Sequence, residues 1–436
     1  MEWPLALVLI LGGGMVLLAT GLPVAFALLL ITPVGALLFW NGEAGLYQLT
    51  TSMFEAVSTF TLLPIPLFVL LGEVMFHSGI AMKMIDVLDK WLGRIPGRLG
   101  LLTVAGATLF STMSGSSIGT TAMLGSVLVP EMERRGHKKP MSIGPIMASG
   151  GLAMIIPPSG LAVLLAAIAE ISIADLLIAG IVPGLMIALL YAVYIVGRCW
   201  IQPSLAPSYN VAPTPLSEKL TATVKYVLPL GFIIFLVLGL IFLGVATPSE
   251  AAAMGALGTF ILAALYRKFN LALIKKSFKG TIRITIMTFM AIIAAKSFSQ
   301  ILASSGATRG IVELMAAIPL IPVVVVIVMQ LILIVLGMFM GSVPMILITI
   351  PIFFPIIELL GLNEIWFALI MLINMEMAMT TPPFGMILFV MKGVSPSGTT
   401  MTEIYKAGFP FLVCDFIVML FIIFFPVLAL WLPGLM

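Results

Sequence analysis

The sequence predicts an all-α polytopic membrane protein folded as two inverted-topology repeats, and three observations carry that prediction. Hydrophobic residues make up 61% of the 436 and charged residues 9%, with a mean hydropathy of +1.24. A soluble chain of that balance would lack polar surface, whereas a polytopic membrane protein requires it. A stretch rich in helix breakers occurs twice at a constant spacing of 225 residues, pairing Ser117 with Ser342, Pro130 with Pro355, Gly136 with Gly361, Pro157 with Pro382, Pro158 with Pro383 and Gly160 with Gly385. Pro23 and Pro248, far upstream, keep the same spacing. Prolines and glycines that coincide in this way mark places where a helix must break, so the spacing defines a structural repeat. The third observation is a count: each copy supplies an odd number of crossings, which turns one copy upside down relative to the other.

Taken in order, apolar runs of spanning length fall at about 4–21, 23–40 and 59–79. Ile80 to Gly93 differs, because Lys83, Asp86 and Lys90 lie opposite Ile85, Leu88 and Leu92. That is the pattern of an amphipathic helix at the interface, with Trp91 as its anchor. The apolar stretch of about 98–133 is interrupted midway by Ser114-Gly115-Ser116-Ser117. Each half is about 16 residues, roughly 24 Å of helix, too short for a full crossing, so a re-entrant hairpin is expected. A long span over about 140–171 is broken at Pro157-Pro158, and 175–197 closes a first repeat of 1–200. Residues 201–225 hold four prolines between Pro203 and Pro215 and read as a cytoplasmic linker. The second repeat, 226–436, follows the same plan. Its spans fall near 226–245, 248–266 and 284–304, then an interfacial piece at Arg309 and Glu313. Hairpin two covers about 321–357, the second broken helix about 363–391, and a last span about 407–431.

Charge orients the chain. With the N-terminus outside, every Lys and Arg except Lys296 and Arg309 falls in a loop or interfacial segment assigned to the cytoplasm, 19 of 21, as the positive-inside rule requires. Hairpin one then enters from the cytoplasm and hairpin two from outside, and both termini are expected in the periplasm. The apolar N-terminus has neither a basic start nor a cleavage site of small residues, and it reads as a retained span. A net charge of +3, with the bases in loops, gives a nucleic-acid reading no support. Cys199 and Cys414 have no metal-type spacing. Gly115-Ser116-Ser117-Ile118-Gly119 matches the letters of a hydrolase nucleophile elbow, but that motif needs a preceding strand and a nearby histidine base. The flanks here are helical, and His77 and His137 sit at the cytoplasmic boundary, so no enzyme activity is expected.

A helix broken at bilayer depth frees backbone N–H and C=O groups that hydrocarbon cannot satisfy. They persist where they line a cavity or bind something, and inverted repeats whose hairpin tips face broken helices follow the plan of secondary transporters. Small residues at one tip would also serve close helix packing. Four break sites related by one spacing favour binding.

The residues also resemble a known family. Ser114-Gly-Ser-Ser, Pro130-Glu-Met-Glu-Arg-Arg-Gly136, Ile156-Pro-Pro-Ser159, Thr381-Pro-Pro-Phe-Gly385 and Pro66-Leu-Phe-Val-Leu-Leu-Gly-Glu73 are similar to motifs of the large membrane subunit of tripartite ATP-independent periplasmic (TRAP) transporters, the DctM-like family. The resemblance spans essentially the whole chain. It implies an elevator-type, sodium-coupled importer in a bacterial inner membrane. Its substrate would be an organic acid, such as a dicarboxylate or sialic acid, delivered by a periplasmic substrate-binding protein (DctP-like). It also implies a small four-helix membrane subunit (DctQ-like). Family members often carry an acidic residue in the second hairpin tip. Gly341 stands there in this chain, which leaves the backbone and Ser342 as donors.

The candidate substrate and ion site is therefore Ser114, Gly115, Ser116 and Ser117 against Gly150, Gly151, Pro157, Pro158 and Ser159 in the first repeat. In the second it is Gly337, Gly341 and Ser342 against Ala378, Thr380, Thr381 and Pro382. Sodium is expected at Ser117, Gly151, Ser342 and Thr381, bound by freed carbonyls and hydroxyls with no carboxylate required, and no cofactor is expected beyond the coupling ions. Half-helix N-termini would face a substrate carboxylate between the tips. Glu73, Lys296 and Glu376 fall within spans, where an ionisable residue is a functional candidate by default. Two other readings stay open: a stand-alone sodium/carboxylate symporter of the same architecture, and a channel or membrane scaffold with no transport cycle.

Overall fold

A computed structural model describes residues 3–40, 42–92, 95–114, 117–207, 215–317 and 321–436, and among these every regular element is helical. Eight of the described helices are long and apolar enough to span a membrane, both halves of hairpin two among them; with each hairpin taken as re-entrant and each broken helix counted once, the repeat plan assigns ten crossings. The first repeat contributes Trp3–Ala19, Val24–Phe39, Phe60–Ser78, a broken helix and Ile173–Ile201. The second contributes Leu216–Phe242, Pro248–Leu265, Leu271–Ser304, a second broken helix and Met401–Phe424. Between the third and fourth crossing of each repeat lie a short arm helix and a hairpin. The arms are Ile80–Leu92 and Ala307–Ala317, and the hairpins pair Arg98–Ser114 with Ser117–Arg134 and Pro322–Phe339 with Ser342–Leu359.

Both broken helices come apart at the paired prolines. The first runs Gly144–Gly151, tightens into a 3-10 turn at Leu152–Met154, and restarts as Gly160–Ala169 after a cis Pro157-Pro158 bond. The second runs Glu364–Thr380 and restarts as Met386–Val394 after a cis Pro382-Pro383 bond. Proline lacks the N–H a continuing helix needs, and two in succession remove two rungs of the ladder.

Packing sorts the elements into two layers, each drawn from both repeats. In the framework layer, Val24–Phe39 and Pro64–Ser78 of the first repeat pack against Leu271–Ser304, and Pro64–Ser78 also packs against Pro248–Leu265. In the inner layer the hairpins and broken helices pack against one another and against Ile181–Ile201 and Met401–Phe424. This layer holds the two longest buried runs among the described residues: from Met141 to Ser159 and from Trp366 to Thr380 every residue is buried. A helix apolar on all sides suits an element surrounded by other helices.

Four elements differ from the sequence reading. Glu43–Val57 is a helix packed on Val24–Phe39 and Leu271–Ser304, where no element was expected. Helix starts at Leu216, inside the expected linker, and runs to Phe242. Leu271–Ser304 begins well before the expected 284, spanning 34 residues. At 1.5 Å per residue that is ~51 Å, against a hydrocarbon core of about 30 Å. Its first turns carry Lys275, Lys276, Lys279 and Arg283 on exposed positions, so the helix extends into water where charge suggested a loop. Finally, Trp91 donates its indole N–H to Thr223 Oγ1 at 2.7 Å and Lys90 pairs with Glu218 at 2.7 Å. The first arm is thus fastened to the start of the second repeat.

Candidate functional site

The two sides of each break are held by different chemistry. At the first, Ser159 caps the restarting helix: its Oγ accepts from Ala162 N at 3.2 Å and donates to Met154 O at 2.7 Å. One hydroxyl thereby satisfies a donor of the new helix and a carbonyl freed by the old one. At the second, Thr380 and Thr381 both turn their hydroxyl hydrogens back onto Met377 O, at 3.0 and 2.6 Å. A hydroxyl whose hydrogen is spent this way presents only oxygen lone pairs outward, which is the polarity a cation needs.

Each hairpin tip lies against the broken helix of its own repeat. A Cβ on Gly150 would sit 2.2 Å from Thr121 Oγ1 and 3.3 Å from Ser117 O, so the first tip packs on bare backbone at the first break. Thr121 Oγ1 is buried and has no hydrogen-bond partner among the described residues. A Cβ on Gly337 would sit 2.4 Å from the Ala378 Cβ, so the second tip meets the second break equally closely. Gln330, two turns before Gly337, and Asn374, one turn before Ala378, fasten this contact, the Asn374 amide donating to Gln330 O at 2.8 Å and to its Oε1 at 2.9 Å. Ser114 ends its helix at the first tip, whereas Gly115 and Ser116 lie outside the described residues. Gly341 precedes the second half of hairpin two and caps it in extended conformation.

The tip of hairpin two also joins the repeats to each other. Ser342 Oγ lies 3.1 Å from Met379 Sδ and 3.7 Å from Met154 Sδ, one methionine from the lip of each break. Three of the four predicted break regions thus converge on one buried hydroxyl.

The arrangement of two layers, hairpin tips and paired breaks has counterparts. The family model described as tripartite ATP-independent periplasmic transporter, DctM component, matches residues 11–428. The chain belongs to that family. Among curated relatives of this DctM-family chain is the C4-dicarboxylate TRAP transporter large permease protein DctM of Pseudomonas aeruginosa, 34% identical and covering 89% of each chain. The 2,3-diketo-L-gulonate TRAP transporter large permease protein YiaN of Escherichia coli is 28% identical over 96% of this chain and 95% of its own. Among solved structures, the Alcanivorax borkumensis YdaH transporter matches with a TM-score of 0.68, covering 97% of this chain and 98% of its own at 14% identity. At that identity the likeness concerns the fold alone.

Of the three ionisable candidates, Glu376 is the most enclosed in this DctM-family chain. A Cβ on Gly151 would sit 2.5 Å from its carboxyl, so its side chain lies directly under the first break while its backbone leads into the second. Tyr191 Oη is 3.4 Å from Glu376 Oε1 and donates to Asp415 Oδ1. Neither carboxyl has a basic group within 4 Å among the described residues, and Glu376 Oε2 is buried without a partner. Glu73 pairs with His77 at 3.2 Å and lies against Gly280, away from the breaks. Lys296 pairs with Glu170 at 2.8 Å in a cavity of about 270 Å³.

Sequence reasoning passed over Thr121, Tyr191, Asp415 and the methionines Met154 and Met379. Thr121 had a signal, being one turn beyond Ser117 on the same face. Asp415 had another, as an acid inside a span that was not singled out. The methionines carried none among 30.

Proposed function

We propose that this chain is the translocating subunit of a sodium-coupled importer of an organic acid, fed by a periplasmic binding protein and assembled with a small four-helix membrane subunit. It works by an elevator motion in which the inner layer slides against the framework. The observation carrying this reading is the meeting at Ser342 of hairpin two with the lips of both broken helices. Half-helix ends, freed carbonyls and hydroxyls with outward lone pairs are then gathered within one layer, so ligand and ion would travel together when that layer moves. The residues at each break fit sodium, a hard cation that takes oxygen ligands: Ser117, Thr121 and the Gly150–Gly151 backbone at the first, Thr380 and Thr381 at the second. Ser342 now faces sulfur, a poor partner for sodium, and would have to turn to contribute.

The substrate class is supported by the relatives, whose names include C4-dicarboxylate and 2,3-diketo-L-gulonate transporters. Uptake of a carboxylate into proteoliposomes holding both membrane subunits is expected to require the binding protein and an inward sodium gradient, and to ignore ATP. Equal uptake without the binding protein would establish the stand-alone symporter instead. Flux that neither saturates nor depends on sodium would establish a channel.

The proposed orientation places the chain in a bacterial inner membrane with both termini periplasmic. Single cysteines at Arg134 and Lys276 are expected to label from the cytoplasm and one at Asn363 from the periplasm, all three positions being exposed. Labelling of Arg134 and Asn363 from the same side would refute the orientation.

A further inference from the structure

Lys296 stands in the middle of a crossing, between Ala295 and Ser297, both buried. A lysine at such depth is costly unless a partner holds it. Its partner, Glu170, belongs to the other layer: Lys296 lies on the framework helix Leu271–Ser304, and Glu170 ends the inner-layer helix Gly160–Ala169. The ion pair is therefore a bond across the seam along which the layers would slide.

Two further observations mark the seam at this point. Glu170 has φ +59, one of two non-glycine residues with positive φ among the described residues. Glycine or asparagine normally takes that position, so a glutamate there pays local backbone strain to present its side chain. The cavity between the layers opens at the same place, with Lys296, Ser299 and Gln300 on the framework side and Glu170, Pro351 and Phe354 on the inner side. A seam that is close-packed resists sliding, because interdigitated side chains have to disengage together. Here a cavity parts the surfaces locally, and Lys296 stands in it as the one base, among the described lining residues, facing three acids, Glu170, Glu358 and Glu364, of which Glu170 holds it. Being half in water, that pair is weak enough to break in each cycle.

We propose that Lys296 and Glu170 form a latch between the layers that holds the conformation seen here and opens in every transport cycle. The proposal rests on the sliding of layers put forward above, and two measurements separate the two. Lys296→Glu, which sets a carboxylate against Glu170 in a cavity that also holds Glu358 and Glu364, is expected to lower the initial rate of uptake by at least about tenfold, about 1.4 kcal/mol. The double variant Lys296→Glu/Glu170→Lys is expected to recover to within about threefold of the unmodified protein, as coupled partners should. In the second measurement, Lys296→Cys/Glu170→Cys is joined by a cleavable thiol crosslinker and assayed in the complete transporter. Crosslinking is expected to stop uptake and cleavage to restore it. The same treatment of Ile233→Cys/Gly258→Cys, on two consecutive helices of the second repeat in ordinary contact, is expected to leave uptake intact. Continued uptake with the 170–296 crosslink in place would overturn both the latch and the sliding of layers. A block by the crosslink with no recovery in the charge-swapped variant would overturn the latch alone.

Discussion

Gly385→Ala is expected to abolish uptake, while Gly160→Ala, its counterpart 225 residues earlier, is expected to leave uptake and expression unchanged. A Cβ on Gly385 would lie 2.4 Å from Met379 O, 2.8 Å from Met379 C and 2.9 Å from Thr381 O. All three are backbone atoms at the second break, and Gly385 N already donates to Thr381 O at 3.1 Å, which closes the loop. No flexible side chain can give way, so the added methyl has to push apart the carbonyls proposed to bind sodium. Overpacking of this kind typically costs about 1 to 3 kcal/mol, and here the displacement falls on the site itself. At Gly160 a Cβ would meet nothing within 4 Å. That position opens a helix, where alanine is favoured over glycine by up to ~1 kcal/mol. Initial rates in proteoliposomes, with the folded yield of each variant, decide the matter. Equal uptake by the two variants would show that the second break is not built as tightly as its geometry indicates.

Ser117→Ala and Thr381→Ala are each expected to raise the sodium concentration for half-maximal uptake by roughly tenfold or more. Removing one polar partner of a charge costs ~1 to 3 kcal/mol, and about 1.4 kcal/mol corresponds to a factor of ten. The Thr381 hydroxyl gives its hydrogen to Met377 O at 2.6 Å, so its oxygen is available as a cation ligand without competition from its own proton. Ser117 opens the second half of hairpin one, buried, with its carbonyl turned toward Gly150. Ser142 serves as control: it is equally buried, but its hydroxyl faces Glu133 Oε1 at 3.4 Å, away from both breaks. Ser142→Ala is expected to keep the sodium dependence of the unmodified protein. Unchanged sodium dependence in both site variants would place the ions elsewhere.

The sequence by itself determined the solvent, the helical class, the repeat and the places where helices stop. Those properties are local or additive. Hydropathy sums along a span, and a proline removes its own N–H wherever the chain goes, so Pro157-Pro158 and Pro382-Pro383 announce breaks before any fold is known. Local charge misled at Leu271–Ser304, where lysines on the first turns read as a loop although exposed lysines continue a helix into water without penalty.

Tertiary structure alone decided which parts meet. Ser342 rests against Met154 and Met379, Lys296 reaches Glu170, and Tyr191 bridges toward Glu376 and Asp415 across three helices. Each contact joins residues more than 30 positions apart, and no periodicity records which face of one helix turns to which face of another. The same holds for the unequal glycines. Gly160 and Gly385 are equivalent in the repeat, yet one borders open space and the other the carbonyl of Met379. A repeat conserves where the chain turns, while the free volume around each turn is set by side chains packed from elsewhere in the chain.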